Sequence, residues 1–507
     1  MNNGRKTRVK KSVFTTLILQ CTTLVCGLIV PRALLGAYGS EAYGATTSIA
    51  QFLSYITLLE SGIGGVARAA LYKPLAENDK TRISVIVNEL KRFFRIIAYI
   101  SLGYAIVLAC TFKSLSHIEC YDWMTTFWLV LVIALSTFGQ YFIGVSYSAL
   151  IQADQRVYLI NALTIVTTLL NALFVIILVH TGSSLIIVKL VSSMVFLIKP
   201  TAMWIYVRKK YGIIKHTERN KSVLEQRWTG LGHHIAYYIH SNTDITVLTV
   251  IENLKAVSVY SVYHMVTQNI QNVITALCSG SEALFGDMIA KNENKEANKT
   301  FDLYETVVSI ASTALFSTVY VMIVPFVSIY TKGIEDIRYI RPEFAFLLTT
   351  AAVIDCYRYP YLTAITAAGH FKQTRWGAYG EAIINICTSI LLVWKLGLEG
   401  VAIGTVIAIS ARLIYSVVYL SKNVLLRPVR TFFQRCLINT VCIGCIVSGC
   451  SVIVKRLEVT DLFHWVVCAG AVFAFSTVVT LIINLLFYKD ATTTAYKTII
   501  SRKEPVL

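Results

Sequence analysis

The sequence predicts an all-α polytopic membrane protein with about fourteen transmembrane helices, arranged as two parallel, pseudo-symmetric six-helix lobes plus two C-terminal helices. Three observations carry this. Hydrophobic residues make up 55% of the 507 and charged residues only 15%, and the mean hydropathy is +0.62. Many apolar runs reach the roughly 20 residues a helix needs to cross about 30 Å of hydrocarbon. Basic residues cluster between alternate runs, as the positive-inside rule requires. The net charge of +18 is therefore a topology signal, and no nucleic-acid partner is expected.

Fourteen spans are expected, at 12–37, 43–70, 94–113, 124–148, 157–180, 185–206, 229–251, 256–281, 302–330, 343–366, 376–394, 399–420, 432–454 and 461–487. Loops rich in Lys and Arg, such as Arg208-Lys209-Lys210, fall on one side with both termini, which places that side in the cytoplasm. The apolar run after the basic N-terminus continues into Pro31-Arg32 with no small-residue cleavage site, so it reads as an uncleaved first span. Weak matches recur at an offset of roughly 215 residues, for example Ala149–Ala153 over Ala364–Ala368, as expected of a parallel internal repeat. The expected divisions are 1–228 for the first lobe, 229–425 for the second and 426–507 for the last two spans and a cytoplasmic tail. The basic loop near Val207–Trp228 separates the lobes.

Catalytic and cofactor motifs are missing. No G-x-x-x-x-G-K-[ST] loop or H-E-x-x-H helix occurs. Cys442 and Cys445 have C-x2-C spacing without a companion pair, so no metal site and no cofactor are expected. Most other cysteines lie within spans as small hydrophobes.

The informative residues are charges inside spans, where each costs about 2.5–3.5 kcal/mol on insertion scales. The hairpin from Gly27 to Arg68 carries Arg32, Glu60 and Arg68. Such charges should face protein or water, so this hairpin reads as the wall of a polar cavity. Asp355 and Arg358 are three apart on one helix face, which allows a self-neutralising pair or a cavity role. Asp244, four residues from His240, could bind and release a proton or hold a structural hydrogen bond. Lys199 and Arg412 are expected to snorkel to interfacial water.

The stretch Pro31-Arg32-Ala33-Leu34-Leu35-Gly36, followed by Glu41-Ala42-Tyr43-Gly44 and Leu58-Leu59-Glu60-Ser61-Gly62-Ile63 with Arg68, resembles the opening hairpin of the polysaccharide-exporting flippases of the multidrug, oligosaccharidyl-lipid and polysaccharide superfamily. Asp244 with Val257-Ser258-Val259-Tyr260, Ala367-Ala368-Gly369-His370, Glu381-Ala382-Ile383-Ile384-Asn385 and Gly397–Thr405 are similar to that family's second half. The chain departs from the family pattern at Ser258 and Ser61. The resemblance implies a non-enzymatic flippase in a bacterial cytoplasmic membrane. Its substrate would be an undecaprenyl-pyrophosphate-linked oligosaccharide, moved by alternating access, with glycosyltransferases and a polymerase as pathway partners. Arg32 and Arg68 are then candidates for the phosphates, since a guanidinium suits bidentate phosphate contacts. Glu60, Asp355 and Arg358 are further substrate candidates, and Asp244 is the candidate for ion coupling. A cation-coupled drug exporter of the same superfamily and a membrane polysaccharide polymerase are the competing readings.

Overall fold

The computed structural model describes residues 3–60, 63–214, 242–278, 281–291, 293–457, 459–488 and 492–493. These are helical almost throughout, with no strand among them. In chain order the helices are α1 (Asn3–Ser54), α2 (Ile63–Glu77), α3 (Lys80–Ser116), α4 (Trp123–Gly139), α5 (Val145–Ala153), α6 (Val157–His180), α7 (Leu185–Tyr211), α8 (Leu254–Cys278), α9 (Ser281–Ala290), α10 (Asn294–Tyr330), α11 (Pro342–Ala367), α12 (Phe371–Asn423), α13 (Arg430–Arg456) and α14 (Leu462–Phe487).

Two of these are double helices broken at a glycine. Gly39, at φ 80° and ψ 175°, interrupts α1, and Gly397, at φ 55° and ψ −129°, interrupts α12. Glycine enters these regions without the Cβ clash that excludes other residues. The breaks fall between the first two expected spans and between the eleventh and twelfth. Other ends are set by side chains: Asp79, Asp122 and Asp461 accept hydrogen bonds from the first-turn amides of α3, α4 and α14, each supplying a partner that the helix itself lacks.

Nine described stretches are long and apolar enough to cross a membrane, and those containing α1 and α12 run 51 and 53 residues. Helices α8 and α11 match the expected eighth and tenth spans in position but are too polar to qualify; they carry His264, Gln268, Gln271, Asp355 and Arg358. The expected span 229–251 lies mostly outside the described residues. The second span needs correcting: it is not one helix over 43–70. A 3-10 turn at Tyr55–Glu60 ends the first piece, and α2 starts afresh at Ile63 beside Gly64-Gly65, whose low helix propensity favours an interruption.

Contacts group the helices into two compact units, Met1–Tyr238 with Asn253–Ser258, and Ile239–Glu252 with Val259–Leu507. The first unit has one apolar cluster around Leu71, Leu90, Phe94, Leu150 and Val207, and another around Ala45, Ile49, Phe112, Val130 and Val188. A tight approach tops the latter: a Cβ on Gly44 would lie 1.8 Å from the Leu254 carbonyl oxygen, so no larger residue fits without backbone movement. In the second unit α13 and α14 pack on α10 through Met322, Cys442, Ile446 and Val472. The Trp465 indole donates to the Met322 carbonyl at 2.9 Å.

Candidate functional site

The second unit holds two polar clusters built around residues that the sequence singles out. In the first, Arg358 of α11 donates to Asp355 on its own helix and to Glu381 on α12. Gln271 of α8 donates to Asp355 at 3.2 Å. Arg412, from the second half of α12, lies 3.7 Å from Glu381 and donates to the Thr374 carbonyl at 3.1 Å. Two guanidiniums thus face two carboxylates, and Arg358, Glu381 and Arg412 are all buried. Charges removed from water persist only when paired and hydrogen-bonded. The i,i+3 pairing of Asp355 with Arg358 forms as the spacing allows, but it is one edge of a larger network. Arg358 Nε is buried and has no hydrogen-bond partner among the described residues.

Arg412 corrects an expectation. It does not snorkel, because its side chain is 6% exposed and points to Glu381. Gly377 makes this possible: a Cβ there would meet Arg412 Nη1 at 2.1 Å and the Tyr415 ring at 2.5 Å.

The second cluster surrounds Asp244. Tyr260 of α8 donates to its carboxylate at 3.0 Å, and the Thr405 hydroxyl lies 2.9 and 3.0 Å from its two oxygens. Asn385 donates to Thr405 at 3.2 Å. The carboxylate is held by a tyrosine, a threonine and, one step removed, an amide, each on a different helical segment. The companion suggested by spacing, His240, lies outside the described residues.

The three candidates in the first unit have separate surroundings. Arg32 is half-buried on α1, before the Gly39 break. Glu60 ends the 3-10 turn within hydrogen-bond reach of Tyr141. Arg68, half-buried on α2, donates to the Gln152 side chain at 3.0 Å, and Gln152 donates in turn to Ser148. The guanidinium is positioned by a neutral amide, so its charge is not cancelled by that partner.

Sequence reasoning missed a third polar network. Glu305 of α10 accepts from Arg427 at 3.1 Å, Arg435 of α13 at 2.6 Å and the Tyr361 hydroxyl. Arg427 also pairs with Asp302 at 3.1 Å. The Arg427 side chain, just before α13, is only 8% exposed and holds the start of that helix to α10. The signal available was Glu305 and Arg435 inside the tenth-helix and thirteenth-helix apolar runs, since an intramembrane charge demands a partner.

No family model and no curated protein matches the chain. Solved structures do. The fold is similar to that of the lipid II flippase MurJ in an inward closed conformation, with a TM-score of 0.68 and 14% identity over 94% of this chain and 99% of that one. An inward-facing multidrug resistance MATE family transporter of the MOP superfamily matches with a TM-score of 0.63 and 13% identity, over 82% of this chain and 96% of that one. The eukaryotic MATE transporter AtDTX14 gives 0.59 and 13%, over 85% and 100%. At such identities the likeness establishes the fold, and the chain is an all-helical, multi-pass membrane protein with the architecture of these transporters.

Proposed function

We propose that the protein is a transporter of the MOP superfamily, and specifically a flippase for a polyprenyl-pyrophosphate-linked oligosaccharide used in surface-polysaccharide assembly. The observation that carries the reading is the near end-to-end match of its fold to a lipid II flippase, 94% of one chain against 99% of the other. The charges of the first unit support it. Arg68 keeps a guanidinium that its amide partner leaves uncancelled, and Arg32 adds a second cation inside the opening hairpin. A diphosphate needs such donors in a hydrated cavity, whereas the polyprenyl tail needs only lipid. No bond chemistry is required, and the activity is transport. Asp244 is the coupling residue in this reading. The partners are the lipid-linked glycan, membrane lipids, and the glycosyltransferases and polymerase that make and use it, in a bacterial cytoplasmic membrane with both termini inside.

The second reading is a cation-coupled exporter of small molecules, favoured by the MATE likenesses and by the hydroxyl-held Asp244. Reconstituted vesicles separate the two. A flippase moves a fluorescent polyprenyl-pyrophosphate glycan between leaflets and leaves a cationic dye in place. Dye extrusion driven by an ion gradient, with no glycolipid movement, would replace the first reading by the second.

A further inference from the structure

The first unit contains a pocket of about 150 Å³ between α1, α4, α6 and α7. Its polar lining is Thr46, Ser136, Asn171, Lys189, Ser192 and Ser193, and the remainder is apolar. Among the described residues no acidic side chain lines it, so the Lys189 ammonium has no carboxylate among them to offset it there. Its position sharpens the imbalance: Lys189 lies in the second turn of α7, near the end whose backbone dipole is itself positive. A lysine in such a place calls for an anion.

The other polar groups restrict what that anion is. Thr46 donates to the Tyr43 carbonyl at 2.9 Å, Ser136 to the Ile133 carbonyl at 3.1 Å and Ser193 to the Val132 carbonyl at 2.7 Å. Each hydroxyl has used its hydrogen on the backbone and turns only lone pairs to other partners. Asn171 Oδ1 is buried with no partner, another acceptor lacking a donor. A halide or bare carboxylate would satisfy Lys189 and leave these acceptors unmet. Ser136, Asn171, Lys189 and Ser192 are only partly buried, so the pocket has a mouth. A cavity of this size holds about one six-membered ring.

We propose that this pocket is a subsite for a hydroxylated carboxylate the size of one sugar ring, a sugar acid, with its carboxylate on Lys189 and its hydroxyls donating to Asn171, Thr46, Ser136 and Ser193. The proposal rests on the flippase reading for its biological setting and narrows the glycan to one carrying an acidic sugar.

The test is isothermal titration of the full chain in detergent with sodium glucuronate, glucose and sodium acetate. Glucuronate binds at least about tenfold more tightly than either of the others, and Lys189→Met removes about that factor while Lys189→Arg keeps most of it. Equal binding of acetate would mean a plain anion hole, and equal binding of glucose would mean that the charge plays no part. Either result overturns the proposal, as does the absence of binding by all three. If Lys189→Met fails to fold, Asn171→Leu retains the charge and should weaken glucuronate without affecting acetate; an unchanged ratio of the two would equally overturn it. Flipping of a polyprenyl-pyrophosphate-linked glycan that carries a glucuronate residue is scored separately in vesicles. Loss of flipping with glucuronate binding intact removes the transport reading alone, and the reverse result removes the subsite alone.

Discussion

Arg358 and Glu381, 23 residues apart, join α11 to α12 by a guanidinium-carboxylate hydrogen bond between side chains only 3% and 6% exposed. Asp355 occupies another edge of the same guanidinium, so removing Arg358 leaves two carboxylates together in the membrane interior. Breaking one side of a buried pair costs about 3–5 kcal/mol, more than the pair itself contributes. Arg358→Leu should therefore sharply reduce the folded yield and the thermal midpoint in detergent. Glu381→Gln should be milder, because Arg358 keeps Asp355 and an amide oxygen still accepts. Wild-type stability in Arg358→Leu would show that the network does not hold these helices.

Asp244 offers a different contrast, between charge and hydrogen bonding. If it carries a proton or cation during turnover, Asp244→Asn slows transport several-fold in vesicles while leaving the amount of folded protein unchanged. Tyr260→Phe removes one donor at 3.0 Å but keeps the carboxylate, so it should lower stability more than transport. Normal transport by Asp244→Asn would reduce the residue to an anchor for Tyr260 and Thr405.

On the loop between α5 and α6, Asp154 gathers Arg8, Arg156, Lys210 and the Tyr211 hydroxyl, tying the N-terminal segment to the end of α7. Burial pushes its carboxyl up, but the hydrogen bonds from Tyr211 and Arg156 and the charges of Lys210 and Arg156 together outweigh that and hold it below its ordinary range. A carboxyl depressed in the folded state stabilises above its unfolded pKa of about 3.9 and loses that contribution as pH falls through the folded value. Asp154→Asn should accordingly lower the melting temperature by a few degrees at pH 7, with the deficit shrinking as the pH drops below about 4. A deficit independent of pH would mean that shape, not charge, is what the side chain supplies.

The architecture was legible because hydropathy and glycine act locally. Apolar runs locate α6, α13 and α14 to within two residues and the start of α7 as well, and Gly39 and Gly397 break the chain where positive φ is needed. Pairing was legible only within a turn, as for Asp355 and Arg358. The partners that decide the sites are distant in sequence: Arg68 and Gln152 by 84 residues, Glu305 and Arg435 by 130. Which face a helix turns to which neighbour depends on packing, and no one-dimensional period records it. Arg412 shows the consequence, since in the sequence snorkelling and a buried ion pair look the same until Gly377 is seen to leave room for the guanidinium.

Arg32 and Arg68 carry the last prediction. They lie on opposite sides of the Gly39 break and of the 3-10 turn at Tyr55–Glu60, on separate helical pieces. Each is therefore expected to meet the diphosphate at a different stage of the cycle. Arg32→Ala and Arg68→Ala should each impair glycolipid flipping in vesicles about tenfold or more at normal protein level, the effect of losing a charge-assisted hydrogen bond. Lysine at either position should rescue only in part, because a point charge replaces a planar donor fork. For Arg68 there is a further control. Gln152→Leu removes the acceptor that orients the guanidinium at 3.0 Å and keeps its charge, so it should resemble Arg68→Lys rather than Arg68→Ala. Full rescue by lysine at both sites would make these residues interfacial anchors, and normal flipping by both alanine variants would remove them from the substrate path.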